Sequence, residues 1–186
     1  MQREWNVAID WAPFLLDPSI PIEGRTHEPR NKPGSLLTER GSRLGIEFRS
    51  RRTFTPNSLL ALQASAFARD FGSTVQQLEF HKAMFKAHFT DLYNLSDRTI
   101  LNNLGTAVGL DGSALNDVLT SEHYLEQVKD EIDWTRKIGV TSIPTFIFEN
   151  QYAVVGAQEY EVLEQVAANI GVKRRKNPDN NQLENS

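Results

Sequence analysis

Residues 6–16, Asn-Val-Ala-Ile-Asp-Trp-Ala-Pro-Phe-Leu-Leu, alternate so that Val7, Ile9 and Trp11 fall on one side and Ala8 and Asp10 on the other. A period of two predicts a β-strand, and Pro13 limits its ladder because it has no N–H to donate. Residues 17–36 are broken by Pro18, Pro21, Pro29 and Pro33 and read as an irregular connector, long for a compact domain, with two readings: a mobile segment or one that covers a groove. From residue 57 the period becomes helical. Leu59, Leu62, Ala66 and Phe67 share one face, with Asn57 or Ser58 as cap and Gly72 as stop. Thr74 and Gln77 have capping-box spacing ahead of a stripe of Leu78, Phe85, Phe89 and Leu92. Ser96 opens a third helix with Ile100, Leu101, Leu104 and Val108. Gly109–Leu110 then fits a left-handed helix end with its apolar contact. Asp111 opens a fourth helix, and Ser121 a fifth that Gly139 stops. The period returns to two over 145–149 and 152–156, a hairpin turning at Asn150–Gln151. A last helix through Leu163, Val166, Ala167 and Ile170 stops at Gly171.

This order is strand, connector, helices, hairpin, helix: an α/β arrangement with a helical insertion over 57–138 inside a domain of residues 1–172. Residues 173–186 are polar and read as a disordered tail. Its Lys173–Lys176 run fits a solvated tail end better than a polyanion contact.

The 186 residues are 39% hydrophobic and 24% charged, enough apolar material for a real core. Lys and Arg number 20 against 24 Asp and Glu, a net charge of −4, which gives no basis for nucleic-acid binding. No apolar run approaches the roughly 20 residues of a membrane span, and the start lacks a secretory pattern. The expectation is a cytoplasmic protein with no membrane partner. The chain has no cysteine, so it offers no disulfide, no thiolate and no cysteine-held zinc. His81 and His88 lie about 10 Å apart by helical rise, too far to share a metal. His27 and His123 have no ligand-spaced partner, so all four histidines read as surface or packing residues with no metal site. Ile143–Pro144 reads on its own as a turn leading into a strand. Gly156–Ala157–Gln158 offers two readings: free N–H groups for an anion at a helix start, or a tight turn that needs glycine. The turn is favoured.

Three segments resemble the DsbA-like thioredoxin superfamily, in particular its FrnE-like branch, whose relatives include 2-hydroxychromene-2-carboxylate isomerases and kappa-class glutathione transferases. They are Trp11 to Gly24 with Pro13 and Phe14, the helical block 57–138, and Gly139 to Val166 with Pro144, Gly156 and Gln158. The last is the most specific. The resemblance implies a thioredoxin-like sheet with a helical insertion subdomain. It implies a cis peptide before Pro144 and a substrate-binding wall at Ser142, Ile143 and Pro144. Trp11, Pro13, Phe14, Gly156 and Gln158 carry the structural motif. The exposed backbone of Ile143 would pair with an extended peptide or with glutathione, as in β-augmentation of a sheet edge.

The resemblance also implies that residues 6–12 are the family's second strand. The first strand, the first helix and the catalytic motif at their junction, about 30–40 residues by the size of a βαβ unit, are then missing from this sequence. No catalytic residue is assigned within it. The activity implied is thiol–disulfide oxidoreduction, which this chain lacks the thiolate to perform alone. Two alternatives stand beside it. One is a non-catalytic module binding a peptide or thiol. The other is a glutathione-dependent isomerase relative, for which glutathione would be the one cofactor. Oligomeric state is left open. Strand 6–12, deprived of its neighbour, would pair directly with 145–149, accept a strand from a second chain, or leave a marginal fragment. The last is the expectation.

Overall fold

The computed structural model of the chain describes residues 1–2, 4–29 and 36–175. Residues 30–35 of the connector and 176–186 of the tail lie outside the described residues. The elements run β1 (Arg25–Thr26), α1 (Leu36–Arg43), β2 (Phe54–Thr55), α2 (Leu59–Phe71), α3 (Thr74–Phe89), α4 (Arg98–Ala107), α5 (Gly112–Ser121), α6 (Leu125–Lys137), β3 (Thr145–Phe148), β4 (Tyr152–Val155) and α7 (Tyr160–Asn169). The chain divides into two compact units, residues 17–133 and residues 1–16 with 134–186. The helical unit therefore starts at Asp17, not at residue 57. Contacts far apart in sequence draw 17–56 in. β1 and β2 pair antiparallel, Arg25 with Thr55 and Thr26 with Phe54. Asn57 Nδ2 donates to Ile20 O at 2.7 Å. Arg49 N donates to Phe89 O, and the Phe48 ring meets Phe89 edge-on at 5.4 Å.

The helices start and stop where backbone donors and acceptors find local partners. Ser73 and Gln76 form the capping box of α3, one residue earlier than the Thr74–Gln77 pair with the same spacing. Asp97, not Ser96, caps α4 by accepting from Thr99 N and Ile100 N. Asp111 caps α5 as its position predicts. α5 runs on through Ser121, and α6 begins only at Leu125. At Gly109, Gly139 and Gly171 the backbone turns left-handed. At each of these ends two amides, such as Leu110 N to Gly105 O and Gly109 N to Thr106 O, close the last turn.

The core of the helical unit lies among α2, α3, α4, α5 and α6. Phe67, Phe80, Leu101, Leu115, Leu119 and Val128 are fully buried there. Ala64 and Ala68 on α2 let the neighbouring helices approach closely. Arg69 on α2 donates both Nη atoms to Glu131 on α6 at 3.0 Å, and Tyr124 Oη donates to Asp70 at 2.8 Å. Burial raises the Glu131 carboxyl. Hydrogen bonds from Arg69 and Gln127, with the Arg69 charge, outweigh that and hold it below the usual carboxylate range.

In the other unit, β3 and β4 form an antiparallel hairpin from Thr145↔Val155 to Phe148↔Tyr152. Its turn lies at Glu149–Asn150, both at positive φ, with Gln151 N bonded to Phe148 O at 2.9 Å. That is one residue earlier than Asn150–Gln151. Residues 6–16, expected as a strand, form none, and among the described residues β3 pairs with β4 alone. Alternation fixes which way side chains point, but a strand exists only where a neighbour supplies a ladder. The N-terminus is held instead by residues 173–175, which are ordered and not tail. Trp5 bridges Arg174, Asn6 N donates to Lys173 O, and Arg175 N donates to Glu4 O. Trp5 is buried, donates Nε1 to Glu164 at 3.0 Å, and lies under the Arg174 guanidinium.

Candidate functional site

Gly139 ends α6 in the left-handed region, and Ser142–Pro144 then leads into β3. The Ile143–Pro144 peptide is cis. Two bonds hold this corner. Thr145 Oγ1 donates to Ser142 O at 2.7 Å, and Gly156 N donates to Pro144 O at 2.8 Å. Pro144 and Gly156 are thus brought together by the main chain. Ile143 lies between these fastened points, 49% exposed. Among the described residues neither its N–H nor its C=O has a backbone partner. Ser142 is half-buried, and Pro144 is exposed. The three wall residues therefore present a fixed, open stretch of backbone.

The motif residues fall in the same unit. Pro13 is buried, and its carbonyl accepts from Thr135 Oγ1 at 3.4 Å. Phe14 is half-buried, and Trp11 is 45% exposed. Gly156 has φ +85°, a conformation that strains any residue with a Cβ. Gln158 N returns to Gly156 O at 2.9 Å, and Gln158 Nε2 donates to Val155 O at 2.9 Å. This is the glycine-requiring turn. The anion reading fails on its own donors, because the Gly156 N–H is taken by Pro144 O. A carboxylate, Glu159, also occupies the N-cap of α7.

The histidines are spread through the helical unit. His81 is buried on α3. His27 Nε2 lies 3.1 Å from Thr55 Oγ1, and His123 meets Tyr124 edge-on. The Arg52 guanidinium donates to His88 Nε2 and to His88 O. A ring nitrogen that accepts from arginine carries no proton, so His88 holds its proton on Nδ1. Burial first, then the Arg52 charge, lower the His88 pKa to about 4. Gln63 has no place in the sequence reading as a candidate. It is buried on α2, four residues after Leu59 and three before Ala66, on the helix's apolar face. A polar residue in that stripe was its signal.

No described helix is long and apolar enough to cross a membrane. No curated protein sequence matches the chain. Among solved structures, it resembles a protein from Streptomyces coelicolor assigned as a DsbA oxidoreductase. The TM-score is 0.65 with 23% identity, over 72% of this chain and 56% of that one. It also resembles a protein from Nitrosomonas europaea assigned as a protein disulfide isomerase. There the TM-score is 0.58 with 13% identity, over 76% of this chain and 78% of that one. At these identities the likeness shows a shared fold, and the chain spans little more than half of the Streptomyces protein. The family model of the DSBA-like thioredoxin domain matches residues 1–168. With the α/β arrangement and the helical unit between the N-terminal segment and the hairpin, this chain belongs to the DSBA-like thioredoxin domain family.

Proposed function

We propose that this chain is the substrate-binding part of a DsbA-like thiol–disulfide oxidoreductase fold, and that by itself it receives an extended peptide without redox turnover. The observation that carries the reading is the open backbone of Ile143. Its N–H and C=O face no backbone partner among the described residues, while bonds at Ser142, Pro144 and Thr145 fix its position. A strand laid beside Ile143 would gain main-chain hydrogen bonds at a point already ordered, so little entropy is lost on binding. The resemblance to proteins assigned as a DsbA oxidoreductase and a protein disulfide isomerase supports a peptide as the ligand. Exchange chemistry needs a thiolate, and these 186 residues contain none. A thiol would have to come from the substrate or from protein outside this sequence.

The test is an NMR titration of the chain with a cysteine-free peptide of alternating valine and threonine. Amide shifts should concentrate at Ser142–Ile147, with Ile143 the largest. Saturable shifts confined to other residues, or none at millimolar peptide, would refute the reading.

A further inference from the structure

We propose that the outer face of α3 is a docking surface for a second copy of this chain, with the two α3 helices running antiparallel. The surface lies in the unit of residues 17–133 and does not depend on the peptide reading above.

α3 is apolar on two opposite sides. Phe80, Met84 and Ala87 are buried in the core of the unit. At about 100° per residue, Val75, Leu78, Phe85 and Phe89 fall together on the side turned away from them. Val75 is 70% exposed, Leu78 38% and Phe85 56%. A helix that walls one core carries polar residues on its outer face. Here solvent meets an apolar stripe instead, about 21 Å long by helical rise. Positions 75, 78, 82, 85 and 89 step by three and four, the repeat of helices that pair along a seam, and Lys82 is its one polar member.

The charges beside the seam select the occupant. Glu79 and Lys86 are exposed and stand on the same edge of the stripe, seven residues apart. A second α3 turned end for end sets its Lys86 against Glu79 and its Glu79 against Lys86. In that register Leu78 meets Phe89 of the second copy, and Lys82 lies over the ring of its Phe85, a cation–π contact. The two-fold axis makes each contact twice. Sliding the second helix by seven residues would oppose Glu79 to Glu79, and a parallel pairing would set Glu79 beside Thr74. Only the first register answers both charges. Within one chain Glu79 holds Lys82 at 2.7 Å and Lys86 holds Asp91 at 2.7 Å. Exposed pairs of this kind contribute little, so they yield to the new ones. The overlap, residues 78–89, is short and falls below the roughly 1,200 Å² of a standard interface, so the dimer is weak.

Sedimentation equilibrium of the whole chain, from about 10 µM to about 1 mM, tests the surface. A monomer–dimer equilibrium with Kd on the order of 100 µM is expected. Phe85→Glu, at an exposed position, should stay monomeric throughout while keeping the parent's helix circular dichroism. Glu79→Lys and Lys86→Glu should each weaken association about tenfold. An equimolar mixture of those two variants should recover the parent's Kd, because each changed position then faces an unlike charge. Glu126→Lys, an equal change of charge on exposed α6, should leave Kd unchanged. A chain that is monomeric at about 1 mM overturns the proposal and assigns the stripe to another partner. An unchanged Kd in Phe85→Glu, or a mixture that associates no better than its separate components, overturns it as well.

Discussion

Gly105→Ala sets two forces of opposite sign against each other at a buried contact. Gly105 lies in the last turns of α4, where alanine in its place should stabilise an ordinary helix by about 1 kcal/mol. Here a Cβ on residue 105 would sit 2.5 Å from Leu115 Cδ2, with Leu110 Cδ1 at 3.5 Å and Phe80 Cε2 at 3.7 Å. Leu115 is 0% exposed and cannot swing into solvent. The backbone cannot retreat freely either, because Gly105 O accepts from Leu110 N at 3.0 Å in the helix end. Overpacking of this kind costs about 1–3 kcal/mol. The net expectation is a loss of about 1 kcal/mol, read as a lower urea midpoint in helix circular dichroism. Leu115→Val removes the offending carbon and alone costs about 1 kcal/mol, as deletion of one buried methylene does. The double variant should be more stable than the sum of the two by about 1–2 kcal/mol, since the added methyl fills the space vacated. A Gly105→Ala chain that gains about 1 kcal/mol, as propensity alone demands, would refute the close approach of α4 and α5.

Three further outcomes follow from other groups. His88 has a folded pKa of about 4 against an ordinary 6.5, so the unfolded chain takes up a proton that the folded chain refuses between those values. Stability is fully present above pH about 6.5 and is lost as pH falls toward about 4. The loss is about 2 kcal/mol, the full shift discounted for partial exposure of the ring. His88→Gln should flatten this limb of a pH series of urea midpoints, and an unchanged slope would count against the Arg52–His88 pairing. Glu131→Gln takes one charge from the two-pronged Arg69 pair and should cost about 1–2 kcal/mol, less than a fully buried pair because both side chains keep some solvent. Equal stability of variant and parent would show the pair to be decorative. Without cysteine the purified chain should reduce insulin no faster than buffer with dithiothreitol, and a rate above that would contradict the need for a thiolate.

The helix ends were legible because they are local. Gly109, Gly139 and Gly171 each follow an apolar stripe and each has φ near +80°, so sequence position alone marks them. The capping box shifted by one residue because Ser73–Gln76 and Thr74–Gln77 satisfy the same spacing rule. The rest depended on distant partners. Nothing in residues 36–56 announces that Phe48 will meet Phe89, or that Gly24 at φ +86° leaves room for the Phe54 ring. β1 and β2, two residues each, are too short to show a period. Residues 6–12 fail in the opposite way, with a clear period and no neighbour to answer it. Of the site, Ser142–Pro144 came from a family motif, and Ile143 is 49% exposed in the structure. Gln63 was visible as a polar residue in an apolar stripe, but only the fold shows that no partner reaches its Oε1.

The two units should differ sharply in local stability, and hydrogen exchange can read the difference. In residues 17–133 the side chains of Phe67, Phe80, Leu101, Leu115 and Leu119 are sealed from water. Opening α2 or α5 exposes all of that surface at once, so their amides should exchange only through unfolding of the whole unit. In the other unit the hairpin has almost no such seal. Phe146 is 38% exposed and Ile147 41%, on opposite faces of β3, and Val154 is the one strand side chain that is buried. A two-stranded hairpin gains little in water from its own pairing. What holds it is a small set of local bonds, chiefly Gly156 N to Pro144 O and the Glu149–Asn150 turn. Amides of β3 and β4 should therefore exchange at least about 100-fold faster than those of α2 and α5, a gap of about 2.7 kcal/mol in opening energy. A strand added beside Ile143 extends the ladder and buries Phe146 or Ile147, so peptide that binds the wall should slow β3 and leave α5 unchanged. Equal protection of hairpin and helices in the free chain would contradict this account, because it would require a seal over β3 that the described residues do not supply.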